Sequence, residues 1–156
     1  MKTPPQDRQT LTASLLQAGR QWRRLAEQRL AVHGISEARA AVLIWIGRLG
    51  GGVRQITLAG YIGIESTSLV RLLDQLGEAG LLERRDDPED RRAKTIWLTR
   101  DGERLVALIE DELTGLRKQV LGKLPAEDIK ATLRVFEAIQ RASEETADDS
   151  DADSTR

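Results

Sequence analysis

A chain of 156 residues with no cysteine and only 3% aromatic residues suits one compact domain with extensions, and it excludes disulfides and thiolate-bound metal. The formal net charge of -1 hides an asymmetry. From Glu144 onward the segment EETADDSDADSTR carries six acids and one arginine, which leaves residues 1–143 at +4, a better match to a DNA partner than the whole-chain figure.

Abundant Leu, Ala, Glu and Arg favour helices over a β-sandwich. The opening MKTPPQDRQT has no apolar centre and is not a signal peptide, and no run is long enough to span a bilayer, so a cytoplasmic location with no membrane partner is expected. One histidine, no cysteine and no glycine-rich phosphate loop leave no nucleophile–base pair. The expectation is therefore no enzyme, no cofactor and no metal.

Residues 1–8 are polar with two prolines and are expected to be extended or unfolded. From Gln9 to Val32, Leu11, Leu15, Ala18, Trp22, Leu25 and Leu30 line one helical face, while Arg20, Arg23, Arg24, Glu27 and Arg29 line the other. A helix of this length exceeds what a small domain buries, so it calls for a partner. His33-Gly34 ends it. Ser36 is placed to cap a second helix, Glu37 to Leu49, whose AAVLIWIG is apolar almost all round and predicts the central buried helix. Gly50, Gly51 and Gly52 break the chain, and Val53 to Ile56 reads as a short strand.

The organising stretch follows. A helix over about Thr57–Ile62, a turn at Gly63 and a helix over about Ser66–Ala79 place Ala59, Gly63 and Leu69 at the spacing of a helix-turn-helix. There a small residue allows close helix approach, a glycine takes the positive φ of the turn, and an apolar residue anchors the second helix. Leu69, Leu72, Leu73 and Leu76 form its inner stripe, whereas Thr67, Ser68, Arg71 and Gln75 face away. Gly80 ends it.

Leu81–Arg85 and Lys94–Thr99 read as antiparallel strands joined by the turn-rich DDPEDRR, with Trp97 alternating out of phase with Ile96 and Leu98. Thr99 resembles an N-cap for a helix to Leu121, and after Leu124-Pro125 a last helix runs to about Ser143. Residues 144–156 are expected to be a disordered acidic tail.

The run IGIESTSLVRLLDQLGEAGLL, followed by DRRAK, LT and Gly102, resembles the winged helix-turn-helix of the MarR family of bacterial transcription regulators, and its SlyA-like branch in particular. The resemblance extends from about Leu11 to Ala142. It implies a mainly α fold with a small β-wing: a winged helix-turn-helix over 35–99, a dimerisation helix over 1–34 and further dimerisation helices over 100–143. It also implies a two-fold homodimer, triangular in outline, bound to a pseudo-palindromic operator as a repressor. Whether transcription falls or rises depends on operator position, which the chain does not encode.

Ser66, Thr67, Ser68, Arg71 and Gln75 are the candidate double-stranded DNA contacts of the recognition helix, since base edges in the major groove are read near a helix amino end. The simpler reading makes Ser66 a cap and Arg71 a solvated charge. In the wing the candidates are Arg84, Asp90, Arg91, Arg92 and Lys94. By the resemblance, Asp90 orients Arg92, Arg92 enters the minor groove, and Arg91 and Lys94 lie near phosphates. A charge count alone calls this hairpin neutral, a plain solvated hairpin. A protein-association winged helix without a DNA target is the competing function, although such a face should expose apolar anchors.

The resemblance also implies an effector, a small aromatic acid or phenol. Trp22 and Trp45 would form its walls, Arg20 and Arg39 would meet a carboxylate, and His33 is near in sequence. Against this, Trp22 fits a core stripe and His33 a helix end.

Overall fold

The computed structural model describes the backbone of residues 4–153 and the side chains through Glu145. Its helices and strands fall into two compact units, one ending at Leu116 and the other beginning at Arg117. Among the described residues no single helix is long and apolar enough to cross a membrane.

Helix α1 (Pro5–Ala31) begins ahead of the apolar periodicity, with proline in its first turn and Asp7 close behind. A proline costs no hydrogen bond there, and an acid favours the helix dipole. Only the second half of α1 packs onto the core, through half-buried Trp22 and buried Ala26 and Leu30. Leu11, Leu16 and Leu25 remain exposed. Helix α2 (Glu37–Arg48) is the central element: Ser36 Oγ accepts the Arg39 amide at its start, and Ala40, Val42, Leu43, Ile44 and Ile46 are buried.

Strand β1 keeps only Val53 and Arg54, because these alone pair with Ile96 and Thr95. The chain enters α3 (Gln55–Ile62) directly, earlier than the expected start at Thr57. Gly63 takes the left-handed conformation at φ 73°, and α4 (Ser66–Glu78) leaves at a bend of 107°. Strands β2 (Leu82–Asp86) and β3 (Lys94–Leu98) complete an antiparallel sheet of order β1-β3-β2.

Helix α5 (Arg100–Leu121) starts as expected from Thr99. The Thr99 hydroxyl accepts the Gly102 amide at 3.1 Å and donates to the Gly80 carbonyl at 2.6 Å, tying the start of α5 to the end of α4. Gly102 is required here, since a Cβ would lie 2.0 Å from the Leu81 carbonyl oxygen. The core of this unit joins Leu43 and Ile46 of α2, Leu58 of α3, Leu69, Leu73 and Leu76 of α4, Ile96 of β3 and Ile109 of α5, all essentially inaccessible.

In the second unit, α6 (Ala126–Asp153) continues well past Ser143, where the apolar pattern ends. The apolar pattern alone ends this helix near Ser143. The segment beyond is rich in Glu, Asp and Ala and has no Gly or Pro to stop a helix. Positions 154–156 of the expected tail lie outside the described residues. Leu133, Phe136 and Ile139 of α6 are exposed.

Leu73 is wholly buried, so Leu73→Ala should lower unfolding free energy by about 2–5 kcal/mol, the range for an unrelaxed core cavity. A urea midpoint equal to that of the wild type would contradict this packing.

Candidate nucleic-acid interface

The outer face of α4 is built by its own periodicity. With Leu69, Leu73 and Leu76 turned inward, Ser66, Thr67, Ser68, Arg71 and Gln75 are all exposed. The cap at this end differs from the simpler reading. Glu65 is the N-cap, with no side-chain capping bond, and Ser66 is the first helical residue. The helix therefore opens without a side-chain acceptor on its first amides, a terminus that favours an incoming anion.

The wing sorts its charges. Asp86 pairs with Lys94 directly across the ladder. Arg84 reaches Asp74 of α4 at 2.7 Å, and Arg85 bonds Glu83 through Nε at 2.7 Å while its guanidinium stacks 4.6 Å from the Trp97 ring centre. Asp87 is buried, with 6% of its side chain exposed, and accepts Arg54 Nε at 2.7 Å, Arg54 Nη2 at 2.6 Å and the Glu89 amide at 2.9 Å. Asp90 Oδ1 accepts the Arg92 amide at 2.9 Å. The aspartate thus fixes the backbone that carries Arg92, and the structure gives it no bond to the guanidinium. Arg71, Arg91 and Arg92 are exposed and, among the described residues, have no side-chain hydrogen bond or ion pair.

Two of these features escape sequence reading. Arg54 and Asp87 are 33 positions apart, and no periodicity links a residue after a glycine run to one before a proline. Trp97, expected to point away from Ile96 and Leu98, does so and lies over the glycine turn. A Cβ on Gly51 or Gly52 would come within 2.7 or 2.9 Å of its ring, and its Nε1 donates to Thr95 Oγ1 at 3.0 Å.

The five effector candidates are less convergent. Arg20 is exposed, Trp22 packs against the core, and His33 pairs with Glu112 at 3.0 Å. Trp45 packs on Tyr61 with ring centres 4.9 Å apart, and the Arg48 guanidinium lies 5.5 Å from its ring centre. Arg39 keeps a buried Nε without a partner. A cleft of about 460 Å³ opens instead beside Ile44, Trp97, Leu98, Glu103, Val106 and Glu110, and none of the five lines it.

Helix-turn-helix, three-stranded sheet and wing in this order define a winged-helix protein. Residues 35–94 match the MarR family model. The transcriptional regulator PA3341 is 35% identical over 86% of this chain and 98% of its own, with a TM-score of 0.80. CouR from Rhodococcus jostii RHA1, solved bound to p-coumaroyl-CoA, is 25% identical over 83% of this chain and 90% of its own (TM-score 0.76). A MarR variant from E. coli complexed with operator DNA shares the fold at 21% identity, over 83% of this chain and 93% of its own (TM-score 0.75). The chain belongs to the MarR family. Members of that family are DNA-binding transcription regulators and not enzymes.

The Glu89 amide, and then the Arg54 guanidinium, hold the Asp87 carboxyl below its ordinary range, against the opposing effect of burial. A depressed folded-state value contributes stability that is present above the unfolded-state pKa and is lost as pH falls through the folded-state value. The stability gap between the wild type and Asp87→Asn should therefore narrow as pH is lowered through the carboxylate range. Urea titrations at stepped pH measure it; a gap independent of pH would show that the charge contributes nothing.

Proposed function

We propose that this chain is a homodimeric, sequence-specific repressor of the SlyA-like branch that reads a pseudo-palindromic operator. The recognition helix α4 enters the major groove through Ser66, Thr67, Ser68, Arg71 and Gln75, and the wing reaches the adjacent minor groove through Arg92. One observation carries this reading. The wing's acids are largely occupied, by Lys94, by Arg54 and by backbone amides, while Arg71, Arg91 and Arg92 stand exposed without an acidic partner. A hairpin that is neutral by count therefore still offers unpaired guanidinium groups to a duplex, beside the exposed Glu89 and Asp90.

Arg84 and Lys94 are held by exposed acids, a weak arrangement that a phosphate readily replaces. They take supporting positions near the backbone, with Asp90 fixing the wing tip. Dimerisation rests on the exposed apolar residues of α1 and α6, Leu11, Leu16 and Leu25 with Leu133, Phe136 and Ile139, which a second copy would cover.

The effector would be a small aromatic acid or phenol. CouR, solved with p-coumaroyl-CoA, supports ligand response as a property to test in this chain. Arg39, with its unpartnered buried Nε beside the α1–α2 connection, is the donor best suited to a carboxylate. Arg20, Trp22, His33 and Trp45 would complete the site only if a second copy or the ligand brought them together.

Footprinting on promoter DNA across a salt series, with and without a panel of aromatic acids, tests these points together. Affinity independent of salt would favour the protein-association alternative, because phosphate neutralisation releases counterions. Arg92→Ala should weaken operator binding by about tenfold or more, the scale of losing a specific contact of 1–3 kcal/mol, while sedimentation still reports a dimer. Arg71→Ala should reduce discrimination among operators by about 1–3 kcal/mol if the contact is to a base. Equal loss on every sequence would assign Arg71 to phosphate.

A further inference from the structure

We propose that the Arg54–Asp87 ion pair is a positioning clasp that fixes the wing relative to the helix-turn-helix, and so sets the spacing an operator must present between its major-groove and minor-groove contacts. The proposal rests on the DNA-binding reading above and adds two residues to it, neither of which touches DNA. Arg54 ends β1 and is at the same time the N-cap of α3. Asp87 opens the loop that carries Arg91 and Arg92, and its amide donates to the Ala93 carbonyl at 3.2 Å, closing that loop on itself. Within the loop, the Ala93 amide donates to the Asp90 carbonyl at 2.9 Å and Asp90 Oδ1 takes the Arg92 amide. The tip is thus one hydrogen-bonded body, and the clasp joins its base to the residue that precedes and caps the helix-turn-helix.

The bond is committed. Arg54 Nε and Nη2 both go to Asp87 Oδ2, while Oδ1 is filled by the Glu89 amide. Asp87 is nearly inaccessible, so loss of its partner leaves an uncompensated buried charge, unlike loss at the exposed pairs elsewhere on the hairpin. Held this way, Arg54 is a poor phosphate ligand despite its partly exposed head.

The clasp and a direct DNA role for Arg54 differ in sign. Asp87→Asn keeps the arginine and removes an acid. If Arg54 met phosphate, the variant would bind DNA more tightly; a clasp predicts the reverse. The test uses the full chain and a duplex selected in vitro against the wild type, together with versions that gain or lose one base pair between the recognition-helix segment and the flank read by the wing. Wild type should reject the altered spacings. Asp87→Asn and Arg54→Lys should bind the parent duplex about fivefold or more weakly, with most of the discrimination between spacings lost. Arg54→Lys retains the charge and loses the fork, which covers the case in which Asp87→Asn fails to fold.

In an Arg92→Ala background either change should cost less than about twofold, because the element being positioned has lost its contact. Tighter binding by Asp87→Asn, intact spacing discrimination in both variants, or losses that multiply with Arg92→Ala would overturn the clasp. A wild type that selects no duplex, or an Arg92→Ala variant that binds as the wild type does, would instead overturn the reading on which it rests.

Discussion

The structure depends on one helix being divided lengthwise. Leu69, Leu73 and Leu76 are inaccessible, while Ser66, Arg71 and Gln75 on the same helix are exposed. Burial of that stripe against α2 and α3 fixes the rotation of α4 about its own axis, and so decides which side chains face outward. Burying three leucines contributes on the order of several kcal/mol, whereas any single outward contact to solvent contributes almost nothing to folding. The polar face is left free to be set by function.

The wing solves a different problem. A hairpin rich in both signs of charge would ordinarily be held by exposed pairs of little net value. Here the pairing is graded by burial. Asp86–Lys94 is a cross-strand surface pair, Arg84–Asp74 links β2 to α4, and Arg54–Asp87 is sealed on its acidic side. The inner pair anchors the hairpin, and the outermost arginines are left unmatched at the tip. Charge count and charge availability are different quantities, and the hairpin's net neutrality says nothing about the face it presents.

How far the chain could be read in advance follows from the range of each interaction. The helices were legible because their apolar spacing is local, as in the stripe of α4 and the nearly all-apolar α2. Gly63, Ser36 and Thr99 were legible because turn and cap chemistry acts within three or four residues. The start of α4 at Ser66 follows from the sequence, whereas the alternative that Ser66 itself is the cap does not hold, since Glu65 occupies that position. The end of α6 was missed because apolar periodicity stops at Ser143 although helix-forming residues do not. In the candidate site, the exposed face of α4 and the wing arginines could be listed from the sequence. Arg54, Asp87 and the seat of Trp97 could not, since each depends on β1 being brought beside β3, a pairing that no local pattern announces. Arg20, Trp22, His33, Arg39 and Trp45 follow from the resemblance alone, and none of them lines the cleft beside Trp97.

The indole resting on Gly51 and Gly52 also bears on how such a sequence can drift. Either glycine could gain a methyl group only if position 97 lost bulk, and a smaller residue at 97 would strip Arg85 of the ring beneath it. Gly51 and Gly52 are therefore held twice, by the ring above them and by their left-handed backbone at φ 78° and 66°, while the neighbouring Gly50, whose added Cβ would meet nothing, is restrained by its backbone angle alone.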